Sequence, residues 1–466
     1  MQRILVAVLL FLLSGCMVVG PDYHPPQPEM PGQWHASATN IIPAGDRAVG
    51  LWWTLFQDPL LDSLVARAAA ENHDLKRAKA RIREARAERI IAAATGSVGG
   101  SAAATHSRRS ENASASDGSQ DLFQLGFDAN WEFDVFGGVQ RAVEAADASL
   151  GASHEELHDV LVSLQAEVAS NYFELRGGQK RLATTHNNIA TQEKTVDLVR
   201  GRYEMGLGNE LDLVQAQTQL SLTKAIVPAL QVSIGRSMHQ LAILIGQLPA
   251  SLIEELSAKA VIPRVPAEIP IHLPSELLRR RPDIRASERR LAAATADIGV
   301  ATADLFPRFS LPAMLGLQST SLSDLITGGS RYWSVGPAIK LTLFDQGRTR
   351  AGVEISKARR DSALAEYEQT VLTAIAEVEN SLIAFVKELE TRRILGEAVN
   401  SGEKAVLMAN GLFETGLADF LNVLQAERAL FQSEDQLVQS EQRLYLDLVA
   451  IFKALGGGWQ DENRDD

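Results

Sequence analysis

Two places in the chain carry residue types at spacings that do covalent or metal chemistry. The first is Leu13-Ser14-Gly15-Cys16. It closes an apolar run from Ile4 to Leu13 that follows Arg3, the layout of a secretory signal. Small residues directly before a cysteine are what lipoprotein signal peptidase cuts, once the thiol has been acylated. The run is too short for a mature membrane helix, which needs ~20 apolar residues. Cys16 is the only cysteine in 466 residues. It has no disulfide partner in the chain, so its use is chemical. An ordinary signal that happens to contain a cysteine is the alternative reading. Cleavage removes residues 1–15 and leaves Cys16 first, carrying a covalent lipid; two or more acyl chains anchor stably. In enteric bacteria an Asp after the cysteine favours the inner membrane, and here Met17 stands there, which points outward.

The second place is His154-Glu155-Glu156-Leu157-His158. It fits H-E-x-x-H, two imidazoles on one helix face with Glu155 as base. No Gly-x-x-His follows at the metzincin spacing, and the segment falls inside a long helical stretch rather than beside a cleft. A solvated helix face is the better reading. No phosphate loop of the G-x-x-x-x-G-K type occurs, so any energy the chain's work requires has to come from a partner. The chain reads as no enzyme, with no catalytic, metal or cofactor site beyond the lipid. A net charge of −13 argues against nucleic acid as a partner, because that affinity comes from clustered Lys and Arg.

The elements that position these residues are written twice. Tyr203-Glu204-Met205-Gly206-Leu207 and Leu213 to Gln217 match Phe413-Glu414-Thr415-Gly416-Leu417 and Val423 to Glu427 without a gap. Upstream, His73-Asp74-Leu75 answers Pro282-Asp283-Ile284, and Phe136 to Arg141 answers Phe344 to Arg350. A period this long is a duplicated half rather than a solenoid repeat. Seven-residue rows run from Leu161 to Tyr203, from Leu213 to Leu248 and, doubled, from Val423 and Leu424 to Phe452. Such rows mean helices packed side by side. A doubled row gives a helix two neighbours, as in the wall of a tube; an ordinary bundle is the alternative. Val139 to Tyr203 has no proline and would run ~100 Å, the returning helix from about Leu211 to Leu248 only ~57 Å, and Leu75 to Ala94 ~30 Å. Pro228 should kink the returning helix.

Period-two alternation is plain from Phe123 to Val135, with Phe, Leu, Ala, Trp and Val at odd positions and polar residues between. It recurs at Phe309 to Leu317 and at Trp333 to Leu343. Gly96 to His106, small and polar, is the least distinct strand. A sandwich with one wet face alternates in the same way. In lipid, however, a sheet cannot leave edges unpaired. Four strands cannot close a barrel; two copies would fill their interior with side chains, whereas three leave a lumen.

In these stretches the chain resembles the TolC-type outer membrane factor family, in its lipoprotein (NodT-like) branch. The stretches are Gly20-Pro21-Asp22-Tyr23, Leu51-Trp52-Trp53 through Phe56-Gln57-Asp58-Pro59-Leu60, Arg280-Arg281-Pro282-Asp283-Ile284-Arg285 on through Leu291, Phe344-Asp345-Gln346-Gly347-Arg348 and the two repeated tips. The resemblance implies a mainly α chain with a transmembrane β-barrel. Its duplicated halves would build a homotrimer with a 12-stranded barrel over a 12-helix periplasmic tunnel. It divides the chain into a cleaved signal (1–15), a lipid-anchored N-terminal segment (16–57), a first repeat (58–257, hairpin about 96–136), an equatorial linker (258–274), a second repeat (275–456, hairpin about 307–344) and a tail (457–466).

The partners implied are a periplasmic adaptor, an inner-membrane pump and the outer membrane. Adaptor docking carries over to Met205, Gly206, Leu207, Thr415, Gly416 and Leu417. The periplasmic gate falls at Leu421 and Gln425. Relatives often have Asp at the position of Gln425, which leaves Asp419 and Asp212 as the acids to test. Phe413 stands where relatives often have Tyr, one hydroxyl fewer at the gate. The function implied is a passive exit duct for small toxic compounds or drugs. Type I protein secretion through the same duct, or a trimeric coiled-coil surface structure without a lumen, are the alternatives.

Overall fold

The computed structural model describes residues 18–35, 41–43, 50–110, 119–258, 269–271 and 273–459. Cys16 and the signal lie outside them, as do residues 259–268 and 272 of the linker and 460–466 of the tail.

The elements in order are β1 (Ile41–Pro43), α1 (Pro59–Glu71), α2 (His73–Ala94), β2 (Gly99–Ser110), β3 (Ser119–Phe133), α3 (Gly138–Glu204), α4 (Glu210–Lys224), α5 (Ile226–Leu244) and β4 (Ile269–Ile271). The second half adds α6 (Pro282–Ala303), β5 (Arg308–Ser319), β6 (Arg331–Val335), β7 (Ala338–Lys340), α7 (Arg348–Glu414) and α8 (Phe420–Ala454). The long helices α3 and α7 are both 67 residues. The returning arm of the first half breaks at Ala225, just before Pro228, whose ring clashes with the preceding turn. At the corresponding place the second half has Val438, and α8 runs unbroken.

The chain packs as two compact units that cut across the duplication: Met1–Pro28, Ala80–Glu155 and Arg285–Thr370, and Glu29–Lys79, Glu156–Ile284 and Val371–Asp466. The repeats at 58–257 and 275–456 are therefore units of duplication, and neither is a compact body. Each half lends equivalent pieces to both units.

The first unit holds an antiparallel sheet in the order β2-β3-β5, with β6 and β7 both on the far side of β5. Its register lines up the apolar positions: Leu125 faces Leu317, Phe127 faces Leu315, and Leu315 faces Trp333. On β2 the same face carries Gly100, Ala102, Ala104 and His106, small or polar, which is why its alternation is faint in sequence. Phe127, Leu315 and Trp333 are all exposed. The strand expected to run unbroken from Trp333 to Leu343 is interrupted. Gly336 donates to Pro312 O at 3.4 Å, but Pro312 has no N–H to return the bond, and Pro337 has none either. Two imino residues on adjoining strands split one strand into β6 and β7, and pairing ends at Lys340.

The second unit is organised by an aromatic stack. Trp52 lies on Phe452 at 5.3 Å, Phe56 on Phe173 at 4.8 Å, and Phe173 on Tyr445 at 4.8 Å. Asp58 caps α1 by accepting from Leu60 N and Leu61 N, and also takes the Tyr172 hydroxyl. Two equivalent clasps hold the ends of the returning arms. Asn72 donates to Leu244 O at 2.9 Å while its Oδ1 accepts from Asp74 N. In the second half Arg281 donates to Ala454 O at 2.9 Å and pairs with Asp283 and Glu377. β1 pairs in parallel with β4, joining the N-terminal segment to the linker.

On α8, burial pushes the Asp447 carboxyl up to about 6, with Glu388 adding to the effect and Arg443 opposing it. A folded pKa above the unfolded one favours the neutral acid, so ionisation costs stability as pH rises through about 6. Asp447→Asn is expected to melt a few degrees higher than wild type at pH 8, with the advantage shrinking between pH 7 and pH 4. A pH-independent difference in circular-dichroism melts would exclude this assignment.

Candidate functional site at the helix-turn-helix tips

Both tips are built by the same backbone device. At the end of α3, Gly206 has φ 73°, its N–H reaches Tyr203 O at 2.9 Å, and Leu207 N reaches Arg202 O at 2.8 Å. At the end of α7, Gly416 has φ 75°, with Gly416 N to Phe413 O at 3.0 Å and Leu417 N to Leu412 O at 2.8 Å. This paired closure of the last carbonyls needs a left-handed residue, hence glycine. No atom lies within 4 Å of where a Cβ would sit at either glycine, so backbone conformation alone demands it. Met205 (68%), Leu207 (65%) and Leu417 (77%) are largely exposed. Thr415 is exposed too, although its hydroxyl bonds back to Gly411 O and Leu412 O.

Beneath the turns lies a small core drawn from α3, α4, α7 and α8: Val196, Val199, Ala216, Phe413, Phe420, Val423 and Leu424. Phe413 and Phe420 meet at 5.6 Å. Phe413 is thus a buried core ring, and its missing hydroxyl leaves no orphaned partner to satisfy. Arg202 crosses from the first tip to the second. Its Nη1 donates to Phe413 O at 3.0 Å and Glu414 O at 3.4 Å, and its guanidinium lies 4.6 Å from the Phe413 ring centre. The sequence pattern misses this residue. A cation in a helix's last turn is expected to bind that helix's own carbonyls, whereas Arg202 binds its neighbour's.

Of the residues assigned to the gate, Leu421 and Gln425 are exposed one turn apart on α8, away from the face that buries Phe420, Val423 and Leu424. Asp419 is exposed at the N-cap of α8 without a side-chain capping bond. Asp212 is half-buried in the first turn of α4, where Asn209 Oδ1 accepts its N–H at 2.9 Å. A further acid went unnoticed in the sequence. Glu427 is buried, pushed up by desolvation and steadied by the Thr195 hydroxyl at 2.7 Å. Beside it, Arg428 Nε donates to Gln219 Oε1 at 2.5 Å and ties α8 to α4.

The H-E-x-x-H segment is not the solvated face expected of it. Glu155 is buried and paired with Arg285 at 2.6 Å, which engages the carboxylate the motif would need as base. His158 stacks on Trp459 at 4.4 Å with 12° between the planes. Among the described residues, no three His, Cys, Asp or Glu gather as a ligand set.

A sheet with an exposed apolar face, carried by a chain of paired 67-residue helices with open tips, defines a channel subunit of mixed β-sheet and α-hairpin construction. The chain belongs to the outer membrane efflux protein family, whose model matches residues 64–247 and 273–457. Among relatives, nodulation protein T of Rhizobium leguminosarum bv. viciae is 33% identical, over 98% of this chain and 94% of that protein. The toluene efflux pump outer membrane protein of Pseudomonas putida is 32% identical, over 98% and 95%. The solved outer-membrane channel OprN shares 40% identity with a TM-score of 0.88, covering 95% of this chain and all of the other. The chain is accordingly an outer-membrane efflux duct component.

Removing the Arg202 bonds by Arg202→Ala is expected to release the end of α7 by about 1 kcal/mol, an ordinary net value for a lost hydrogen bond. Hydrogen exchange should speed up at residues 412–417 and leave the sheet unchanged. Unaltered exchange there would remove Arg202 from the tip.

Proposed function

We propose that three copies of this chain close into a passive duct through which small toxic compounds or drugs leave the cell. The observation that carries this reading is the sheet: one face is apolar and exposed, and among the described residues β2 and the β6–β7 edge have no pairing beyond them. Lipid offers no hydrogen bonds to such edges, so another copy has to supply them. Three copies of four strand positions make a twelve-stranded barrel wide enough for a lumen.

The tips at Met205, Gly206, Leu207 and Thr415, Gly416, Leu417 would receive a periplasmic adaptor. Their exposed apolar side chains on rigid Gly-closed turns support that role. The adaptor links the duct to an inner-membrane pump, which supplies energy and selects substrate. Leu421 and Gln425, with Asp419 and Asp212, would form the periplasmic narrowing. The chain itself works without catalytic residues or cofactor. Its one covalent group would be the lipid on Cys16, an assembly aid that holds monomers at the outer membrane until the barrel closes. The Pseudomonas putida relative named for toluene efflux favours small apolar solutes over secreted proteins.

Leu417→Arg or Gly416→Pro is expected to abolish drug resistance in the host while trimer in the outer membrane stays at wild-type level. Full resistance in either variant would take docking away from the tips. Cys16→Ala behind a cleavable signal should slow trimer formation several-fold yet leave assembled trimers active. Correctly assembled but inactive trimers would refute the assembly role.

A further inference from the structure

The strap that begins at Val18, two residues after Cys16 in sequence, is held by an unusually close fit. Gly20 has φ 94°, and a Cβ there would lie 2.4 Å from Gly299 Cα. A Cβ on Gly299 would meet Arg141 Cγ at 2.6 Å, and one on Gly137, at φ 76°, would meet Val18 Cγ1 at 2.8 Å. Three glycines thus clear a slot for one short strap. Val19 is buried and its N–H donates to Phe136 O at 3.1 Å. The slot is closed by Arg141, whose side chain is only 5% exposed. Its Nε donates to Val19 O at 3.1 Å, its Nη2 to Gly20 O at 3.4 Å and Asp22 Oδ1 at 2.6 Å, and its Nη1 to Glu144 Oε2 at 2.7 Å. The Tyr23 hydroxyl then donates to Glu288 at 3.1 Å.

Three of the four acceptors on this guanidinium belong to the strap. With the strap absent, Arg141 would keep Glu144 and lose the rest, so three charge-assisted bonds would have to be replaced by water. The corner where β3 hands over to α3, at Phe136 and Gly137, is therefore complete only with the strap seated. By linkage, the strap seats only where that corner has formed. Val18 is two residues from Cys16 in sequence, so seating the strap limits how far the lipid-bearing end can stray from the corner.

We propose that Arg141 is the positioning residue that couples the N-terminal lipid to assembly: by seating Val19–Asp22 it delivers the anchored end to the β3–α3 corner. The proposal rests on the reading of the Cys16 lipid as an assembly aid. Untethered, the lipid would hold the chain at the membrane without presenting its sheet. Seated, it makes anchoring and formation of the strand–helix corner one step.

The test is a double-mutant cycle on the rate of trimer formation, followed by pulse-chase in whole cells with the full chain. Gly20→Ala unseats the strap by clash without hollowing the core. It should slow trimer formation as much as Cys16→Ala, with the double variant no slower than either. Asp22→Asn, at an exposed carboxylate, should slow assembly in the same direction and to a smaller extent. Assembled Gly20→Ala trimers should still export as wild-type trimers do. Gly20→Ala and Asp22→Asn at wild-type speed, beside a slow Cys16→Ala, would overturn the coupling and leave the lipid's role standing. So would a double variant slowed by the product of the two single factors. Cys16→Ala at wild-type speed would overturn both.

Discussion

A backbone hydrogen bond cannot be left open in hydrocarbon, and most of this molecule follows from that constraint. The sheet places Leu125, Phe127, Leu315 and Trp333 on one exposed face. Such a face is at home only against lipid or another protein. A sheet that sits in lipid has to close on itself, because each unpaired N–H or C=O there costs several kcal/mol. One chain offers too few strands to close. Oligomerisation is then a condition for the sheet to exist in the membrane, and the lipid proposed on Cys16 would be a means of reaching that condition.

The helical part obeys a different economy, in which one design is used twice and then altered. Gly206 and Gly416 close their helices with matching bonds. Asn72 and Arg281 each clasp the last carbonyl of a returning arm. The differences between halves are local and have stated causes. Pro228 splits the first arm where Val438 leaves the second whole. Arg202 crosses to the second tip, while the equivalent Leu412 cannot cross back. The two tips thus share a fold and differ in how they are held.

Much of this was legible in sequence because periodicity reports directly on which face is buried. The seven-residue rows located the long helices, and alternation located β3 and β5. β2 was faint because the face it turns to Leu125 and Phe127 holds Gly100, Ala102, Ala104 and His106, and alternation needs contrast in size and polarity. The split between β6 and β7 depends on Pro312 and Gly336 being opposite one another, a fact of register that one strand's pattern does not contain. Spacing flagged H-E-x-x-H, but it was blind to Arg285 and Trp459, distant partners that occupy Glu155 and His158. Glu427 and Arg202 escaped for the same reason: their roles are set by neighbouring helices. The assignments at Asp419, Asp212, Leu421 and Gln425 came from resemblance.

Closure of the sheet by further copies is the central claim, and disulfide trapping across the free edges tests it most directly. Ser334→Cys on β6 would be combined with single cysteines stepped along the same face of β2, at Ser101, Ala103 and Thr105. The protein would be oxidised in native outer membranes and run without reductant. Closure by three copies predicts a covalent trimer at one or two of these positions, collapsing to monomer on reduction. Monomer at every position, in membranes that contain the folded protein, would contradict it.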